Sequence, residues 1–207
     1  MRETLLEPKT KQVDLYVGFT NKITGEHFRV ISETRDSITF HWTVQPQGYV
    51  PFEHIHINQD EIFHIRHGEA RIVIDGEEII ARPGDIFRVP KGMPHIAFNN
   101  KRELLDCIVS FEPSLDSYKF FQCFGGLTID DDMDKGGEIN IPKMLYFTKR
   151  ISAGCLSQPT KIPSVVFGIA LSIFYAAGKL LGWEKDYLRY TGSRPRSDTF
   201  KTHFYLP

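Results

Sequence analysis

The sequence has few cysteines, almost no net charge and no apolar run at its start. Its three cysteines, Cys107, Cys123 and Cys155, are odd in number and far apart, which excludes a disulfide framework. Lys and Arg total 25 against 26 Asp and Glu, so the chain lacks the basic excess that a nucleic-acid-binding protein needs. The first residues, MRETLLEPKTKQVD, carry charges where a secretory signal would be apolar. We therefore expect a cytoplasmic protein that does not bind nucleic acid.

Histidine is the residue type whose distribution is uneven. The chain has 207 residues, of which 41% are hydrophobic, enough for a sizeable core. Four of its eight histidines lie between His54 and His67, and a fifth is His95. Histidine is the commonest metal ligand and the usual proton carrier near neutral pH. The clustering indicates a functional site, with exposed strand positions as the alternative.

Residues 12–112 are predicted to form a mainly β domain. Apolar residues alternate with polar ones at 13–17 and again at 38–44, which predicts strands. Asp75-Gly76 lies between RIVI and EEII, a strong signal for a two-residue hairpin turn. Many short strands at regular spacing predict a β-sandwich or a small barrel.

Residues 113–207 are predicted to form a helical extension and a tail. A first helix is expected after Ser114, closed by Gly125-Gly126, and a second at 142–153, with proline in its first turn. The polar residues from 193 onward predict an irregular tail.

The segment 162–178 contains seventeen residues without a charge, between Lys161 and Lys179. As a helix it would span about 25 Å, less than the roughly 30 Å of a bilayer core. Gly168, Ser172 and Ala176 form a stripe of small residues that permits close helix contact. Its length favours a helix packed on the barrel or in a homodimer. A peripheral membrane contact through 162–183 and a true membrane span stay open as alternatives.

Two motifs with fixed spacing lie inside the predicted β domain. The first runs from Gly48 through His54, His56 and Glu61 to Gly68, and the second from Gly84 through Pro90, Gly92 and His95 to Asn99. The chain therefore resembles the cupin family over residues 48–99, and every fixed position of the two cupin motifs is met. The resemblance implies a double-stranded β-helix, the jelly-roll barrel of the cupins, followed here by a C-terminal α-helical extension.

The same residues predict a metal site. His54 and His56 are two residues apart, so on a strand both imidazoles point to one face. Glu61 follows after a short connection, and His95 arrives from a separate strand. This set suits one divalent transition ion, Fe, Mn, Ni, Co, Cu or Zn, rather than calcium or magnesium. In an octahedral shell it leaves two positions for water, oxygen or substrate.

The resemblance also implies a class of function. Similar cupins include dioxygenases, oxalate-degrading enzymes, isomerases and lyases, all acting on small organic molecules. We therefore expect a metal-dependent enzyme with a small substrate in the barrel, and Glu61 as a proton carrier. Strand alternation suggests Phe63, Ile65, Ala97 and Asn99 as substrate-binding residues. The alternative is a non-catalytic cupin that holds a metal and serves as a small-ligand-binding or sensor module.

The other five histidines have no partner in these motifs. They are His27, His41, His64, His67 and His203, and each is predicted to be exposed or packed rather than catalytic. Cys107 lies in an apolar run and is predicted to be a buried small hydrophobe.

Overall fold

The fold consists of two antiparallel sheets and four helices within the residues that the structure describes. This computed structural model describes residues 13–15, 17–132, 139–151 and 157–192. The strands are β1 (Phe19–Asn21), β2 (Glu26–Glu33), β3 (Ile38–Val44), β4 (His54–His56), β5 (Asp60–His67), β6 (Ala70–Ile74), β7 (Glu77–Ala81), β8 (Ile86–Val89), β9 (His95–Phe98), β10 (Leu105–Glu112) and β11 (Ser157–Pro159). One sheet has the order β1-β2-β3-β10-β5-β8 and the other β11-β4-β9-β6-β7. The predicted mainly β barrel with a C-terminal helical extension is confirmed.

Strict alternation along the central strands builds the core between the sheets. In β3 every second residue is buried, and Phe40 and Trp42 project inward from this strand. β10 pairs with β3 on one side and with β5 on the other, so it carries the middle of the six-stranded sheet. The predicted hairpin joins β6 to β7, and both turn residues, Asp75 and Gly76, have positive φ of 50° and 82°.

The strand predicted at residues 13–17 is wrong. Val13 and Leu15 are buried, but the described residues of the segment, 13–15 and 17, lie in no strand, and Val17 is 73% exposed. Its backbone makes isolated hydrogen bonds instead of a strand ladder: Val13 N donates to Tyr190 O, and Val30 N donates to Leu15 O. Two buried side chains in an irregular segment produced the alternation that predicted a strand.

The first helix differs from the prediction at its C-terminal end. Helix α1 spans Ser117–Ile129 and continues through Gly125 and Gly126, which were expected to close it. Both glycines are tightly packed: a Cβ on Gly126 would lie 2.3 Å from the Tyr190 ring, and one on Gly125 would lie 2.7 Å from the Phe19 ring. These glycines therefore allow close packing rather than helix termination.

Helix α2 spans Ile141–Arg150 and begins where the sequence predicts. The side chain of Asn140 caps it by accepting a hydrogen bond from Lys143 N at 3.1 Å, and proline occupies its first turn. The last two residues of the predicted helix, 152 and 153, lie outside the described residues.

Helix α3 (Ser164–Leu181) is packed on one side and open on the other, and α4 (Glu184–Thr191) follows it. The buried residues of α3 are Phe167, Leu171 and Gly178. Tyr175, also on α3, stacks on Tyr146 of α2 with 5.5 Å between ring centroids. The opposite side exposes apolar residues, with Leu180 90% accessible. By length and composition alone the helix is long and apolar enough to cross a membrane, with a mean hydropathy of 1.8.

Homodimer formation, membrane contact through 162–183 and a cytoplasmic location stay predictions. The predicted tail from 193 lies outside the described residues.

One part of the predicted helical extension joins the barrel. β11 pairs antiparallel with β4, so that Ser157 lies opposite His56 and Pro159 opposite His54. The extension thus contributes both a strand and helix-borne aromatic residues to the β domain. Phe121 of α1, for example, lies 4.4 Å from Phe40 between ring centroids.

Candidate metal centre

The four predicted metal ligands come together between the two sheets. His54 and His56 lie in β4, and His95 lies in β9 directly opposite His54 in the strand register. Glu61 approaches from β5 in the other sheet. One ligand atom from each of the four side chains lies within 4.8 Å of every other. The spacing of the two motifs therefore produces a single cluster of three imidazoles and one carboxylate.

The cluster is compact and mostly buried. Glu61 Oε2 lies 2.7 Å from His95 Nε2 and 3.2 Å from His56 Nε2. His54 Nε2 lies 3.2 Å from His56 Nε2. His56, Glu61 and His95 are buried, and His54 is half-buried. The Nε2 atoms of all three imidazoles thus face the same small volume.

Each imidazole is oriented by a contact on its other nitrogen. His54 Nδ1 lies 3.0 Å from Phe52 O, and His95 Nδ1 lies 3.0 Å from Met93 O, each two residues earlier in the chain. A carbonyl oxygen only accepts, so both Nδ1 atoms donate. His56 Nδ1 lies 3.0 Å from the Ser157 hydroxyl on β11. Such outer contacts fix the ring and direct Nε2 inward, as in most histidine-ligated metal sites.

The donor set fits a divalent transition metal. Because His54 donates through Nδ1, its neutral ring presents a lone pair at Nε2, 3.2 Å from another imidazole nitrogen. This lone pair, two further imidazole nitrogens and a carboxylate converge on one volume, which is a donor set that a divalent cation can bind. Burial, together with the positive charge of His56 and His95, lowers the pKa of His54 to about 3, so this ring stays neutral as a ligand must. Three nitrogens and one oxygen suit Fe, Mn, Ni, Co, Cu or Zn rather than calcium or magnesium.

A proton occupies part of this cluster when no metal is bound. His95 faces an acceptor on each side, Met93 O and Glu61 Oε2, and only an imidazolium donates to both. Burial lowers the pKa of His95, but the hydrogen bond and the charge of Glu61 outweigh it, so that the pKa is raised. For Glu61, burial raises the pKa, but the hydrogen bonds from His56 and His95 outweigh it and lower the pKa. Metal and proton therefore compete for the same nitrogen.

The cluster lies in the wall of a cavity of about 320 Å³. Aromatic rings dominate the lining, which includes Phe28, Phe40, Trp42, Phe63, Phe111 and Phe121. The large hydrophobic lining residues that are more than a third exposed indicate the side on which the cavity opens; they are Ile23, Tyr49, Phe52 and Ile141. Among the described lining residues there is no lysine or arginine. The cavity thus suits a small apolar molecule that reaches the cluster through its polar end.

The structure separates the four predicted substrate-binding residues into two pairs. Phe63 and Ala97 line the cavity beside the cluster. Ile65 is fully buried, opposite Cys107 in the sheet, and it is not among the lining residues. Asn99 is also fully buried and outside the lining.

The buried amide of Asn99 serves the backbone. Its Nδ2 contacts three carbonyl oxygens: Val44 O at 2.9 Å, Gln45 O at 3.2 Å and Glu103 O at 2.8 Å. Its Oδ1 accepts from Lys101 N at 3.1 Å. The side chain therefore joins two loops and has a structural task.

Glu26 is a buried acid in the cavity wall that sequence reasoning missed. It begins β2, its side chain is 3% exposed, and it lines the cavity. The Thr24 hydroxyl donates to Oε2 at 2.7 Å, and Trp42 Nε1 donates to Oε1 at 3.3 Å. The pKa of Glu26 is raised to about 7, chiefly by burial; the hydrogen bonds from Thr24 and Trp42 oppose the rise, and the negative charge of Glu61 contributes a smaller part of it. A signal existed in the sequence, because alternation from Val30 backwards puts Glu26 on the inward face.

The histidines outside the motifs lie away from the cluster. His64 and His67 are exposed on β5, while His27 and His41 are half-buried. His41 Nε2 contacts Asp106 Oδ2 at 2.9 Å. Cys107 is fully buried, as predicted. His203 lies outside the described residues.

Comparison with known proteins agrees with the resemblance in the motifs. Residues 40–111 match the family described as Cupin domain. Similar solved structures include KdgF from Halomonas sp., with 22% identity over 45% of this chain and 84% of that one, at a TM-score of 0.43. An RmlC-like cupin from Shewanella frigidimarina has 15% identity over 57% of this chain and 96% of that one, at a TM-score of 0.44.

A third similar structure is a sugar phosphate isomerase of the cupin superfamily from Silicibacter pomeroyi. It has 20% identity over 44% of this chain and 61% of that one, at a TM-score of 0.41. No curated protein sequence matches the chain. At such identities the likeness concerns the fold.

Proposed function

We propose that the chain, whose residues 40–111 match the Cupin domain family, is a metal-dependent enzyme acting on a small, largely apolar organic substrate inside the barrel. One observation carries the proposal: four metal-ligating atoms lie within 4.8 Å of one another in the wall of an aromatic cavity. Largely apolar cavities of a few hundred Å³ with a few convergent polar groups are typical of small-molecule sites.

The lining of the cavity restricts the substrate class. Its described residues include no lysine or arginine, so a phosphate group would meet neither of the side chains that usually bind phosphate. The aromatic rings favour an aromatic or aliphatic body. We infer a substrate with one or two oxygens for the metal, such as an enol, a catechol or a carboxylate, on an apolar frame.

The residues around the cavity would have three different roles: holding the ion, orienting its ligands and excluding water. His54, His56, Glu61 and His95 would hold the ion, and the bound ion supplies Lewis acidity or, with a redox metal, activates dioxygen. Phe52 O and Met93 O keep two of the imidazoles oriented. The aromatic walls exclude water from the substrate and so strengthen the electrostatic interactions in the site.

The presence of Glu26 favours catalysis over the non-catalytic alternative. A cavity that only binds an apolar ligand gains nothing from a buried carboxyl group in its wall, because such a group is costly to bury. An enzyme needs a polar group that converges on the substrate besides the metal. The proposed chemistry therefore includes proton transfer.

Metal analysis is the first test. Purified protein is expected to bind one equivalent of zinc or cobalt, measured by elemental analysis after dialysis. His95→Ala removes one ligand, whereas His64→Ala removes an exposed imidazole from strand β5, which also carries Glu61, and serves as the matched control. We expect H95A to lose the metal and H64A to keep it. Equal metal content in both variants would contradict the assignment of the ligands.

The substrate class is tested separately. Protein loaded with iron, manganese or zinc is incubated with catechols, diketones and thiol acids while oxygen consumption and product formation are followed. Turnover that requires the metal supports the enzyme. Tight binding of these compounds without turnover by any metal form would instead support a non-catalytic ligand-binding or sensor cupin.

A further inference from the structure

Glu26 and the metal cluster face the same cavity from different strands. The cluster is carried by β4, β5 and β9, and Glu26 is carried by β2. Both are part of the cavity lining, together with the rings of Trp42 and Phe63, which lie 6.0 Å apart between centroids. A molecule in the cavity would therefore meet both the cluster and this carboxyl, within a largely aromatic lining.

Glu26 has hydrogen-bond donors around it but no positive charge. Each of its two oxygens accepts one bond, from the Thr24 hydroxyl and from Trp42 Nε1. Within the described part of the chain, no lysine, arginine or histidine forms an ion pair with it, and the charge that acts on it most is that of Glu61, which is negative. A carboxylate buried under these conditions binds a proton more readily than one in water.

The protonated form of Glu26 can reach a molecule in the cavity. Trp42 Nε1 only donates, so it offers no acceptor to the carboxyl proton. The Thr24 hydroxyl donates to the carboxylate and can turn to accept from the acid, and because Glu26 lines the cavity, a molecule bound there is a second partner for its O–H group. A purely structural glutamate in this place would be expected to have a cation beside it.

We propose that Glu26 is the acid–base residue of this cavity and that the substrate is an enolisable carbonyl compound. This rests on the proposed function, since the metal would hold the carbonyl oxygen. In the forward step the C–H bond next to the carbonyl breaks, its electron pair stays on the substrate as the enolate, and the proton goes to an oxygen of Glu26. In the return step Glu26 delivers the proton to the substrate or product, so no oxidant or reductant is consumed.

The assignment agrees with the protonation state of the carboxyl. A pKa of about 7 leaves Glu26 partly protonated and partly ionised at neutral pH, which suits a group that both takes and returns a proton. Glu61, the proton carrier suggested by the sequence, shares one oxygen with two imidazoles instead. Glu26 lies outside the cluster and is free for this task.

A labelling experiment tests whether Glu26 is a protonated acid reachable from the cavity. Dicyclohexylcarbodiimide is apolar and reacts with protonated carboxyl groups in apolar sites, and peptide mass spectrometry locates the product. We expect labelling of Glu26 at about pH 6 that declines through about pH 7 and is nearly absent at about pH 8.5. Added zinc places positive charge in the same cavity and is expected to move this decline to lower pH. No labelling of Glu26, or labelling that does not vary with pH, overturns the proposal.

Deuterium exchange tests the proton transfer itself. Phenylpyruvate offers keto-acid oxygens for the metal, a ring for the aromatic walls and exchangeable protons beside the carbonyl. We expect zinc-loaded protein to accelerate exchange of these protons with D2O, and Glu26→Gln to reduce the acceleration by about 100-fold or more. Glu77→Gln, at an exposed glutamate in β7, is the matched control. Equal exchange rates in wild-type and E26Q protein overturn the proposal.

The zinc content of the same samples separates this proposal from the proposed function. E26Q that keeps one equivalent of zinc and loses the exchange supports Glu26 as the acid–base residue. Wild-type protein that binds no zinc contradicts the proposed function, whatever the labelling shows. Glu26→Asp provides a second variant if the glutamine protein does not fold.

Discussion

Replacing Glu26 with glutamine is expected to change how the stability of the protein depends on pH. In the folded protein burial raises the pKa of Glu26 from its ordinary value of 4.5 to about 7, whereas unfolding returns it towards 4.5. Between these two values the folded protein retains a proton that the unfolded chain has released. The contribution of Glu26 to the free energy of unfolding therefore falls as the pH rises through this window. Glutamine does not titrate and lacks this dependence.

The size of the effect follows from the two pKa values. Each tenfold change in proton affinity is worth about 1.36 kcal/mol. The change from 4.5 to about 7 thus corresponds to about 3 kcal/mol of pH-dependent stability. The side chain is only 3% exposed, so solvent screens little of this contribution. We expect the free energy of unfolding of the wild type, relative to that of E26Q, to fall by about 3 kcal/mol from about pH 4.5 to about pH 7.5.

Urea unfolding of metal-free protein, followed by circular dichroism at several pH values, measures this difference. All other titratable groups are the same in the two proteins, so subtracting one curve from the other removes their contribution. Glu77→Gln, which changes an exposed glutamate, is expected to give a flat difference curve. A flat curve for E26Q would refute the raised pKa. A curve that rises with pH would show that Thr24 and Trp42 hold the carboxylate ionised.

Four other substitutions test the site and the packing. Ser157→Ala removes the hydroxyl that contacts His56 Nδ1 at 3.0 Å. We expect zinc affinity, measured by competition with a chelator, to fall about 10-fold, and an unchanged affinity would contradict a role of Ser157 in orienting His56. Gly126→Ala places a Cβ 2.3 Å from an aromatic ring and is expected to cost about 1–3 kcal/mol in urea unfolding. Gly168→Ala places a Cβ in open space on α3 and is expected to raise the free energy of unfolding by about 0.5–1 kcal/mol. Equal effects of Gly126→Ala and Gly168→Ala would contradict the close packing of Gly126 against Tyr190. Asn99→Ala leaves three backbone carbonyls without their amide donor and is expected to lower stability by at least about 1–3 kcal/mol, which an unchanged melting temperature would contradict.

The barrel and the cluster could be predicted because their signals are local. His54 and His56 point to one face through strand alternation alone, and the turn at Asp75-Gly76 has a backbone requirement that few residue pairs meet. The position of Glu61 beside His95 depends on how the two sheets pack against each other, and the short connection after His56 and the family resemblance together predicted it.

Other features depend on contacts between distant parts of the chain. Gly126 reads as the end of a helix because glycine often terminates one, and the Tyr190 ring that demands a glycine there is 64 positions away in sequence. Asn99 lies close to His95 in sequence, yet its amide donates to the backbone carbonyls of Val44 and Gln45 and not to a group in the cavity. Glu26 was missed because a single glutamate in an apolar alternation resembles an exposed residue until its neighbours are known.

The pairing of β11 with β4 gives the C-terminal region a protective role. Without β11, the strand that carries His54 and His56 would be the edge of its sheet, with unpaired backbone groups open to strands of other molecules. The actual edge is instead a strand of three residues that ends in Pro159, which cannot donate a further ladder hydrogen bond. A chain shortened to the barrel alone would expose its ligand-bearing strand to aggregation. The helical region therefore shields the site from intermolecular β pairing, in addition to any function of its own.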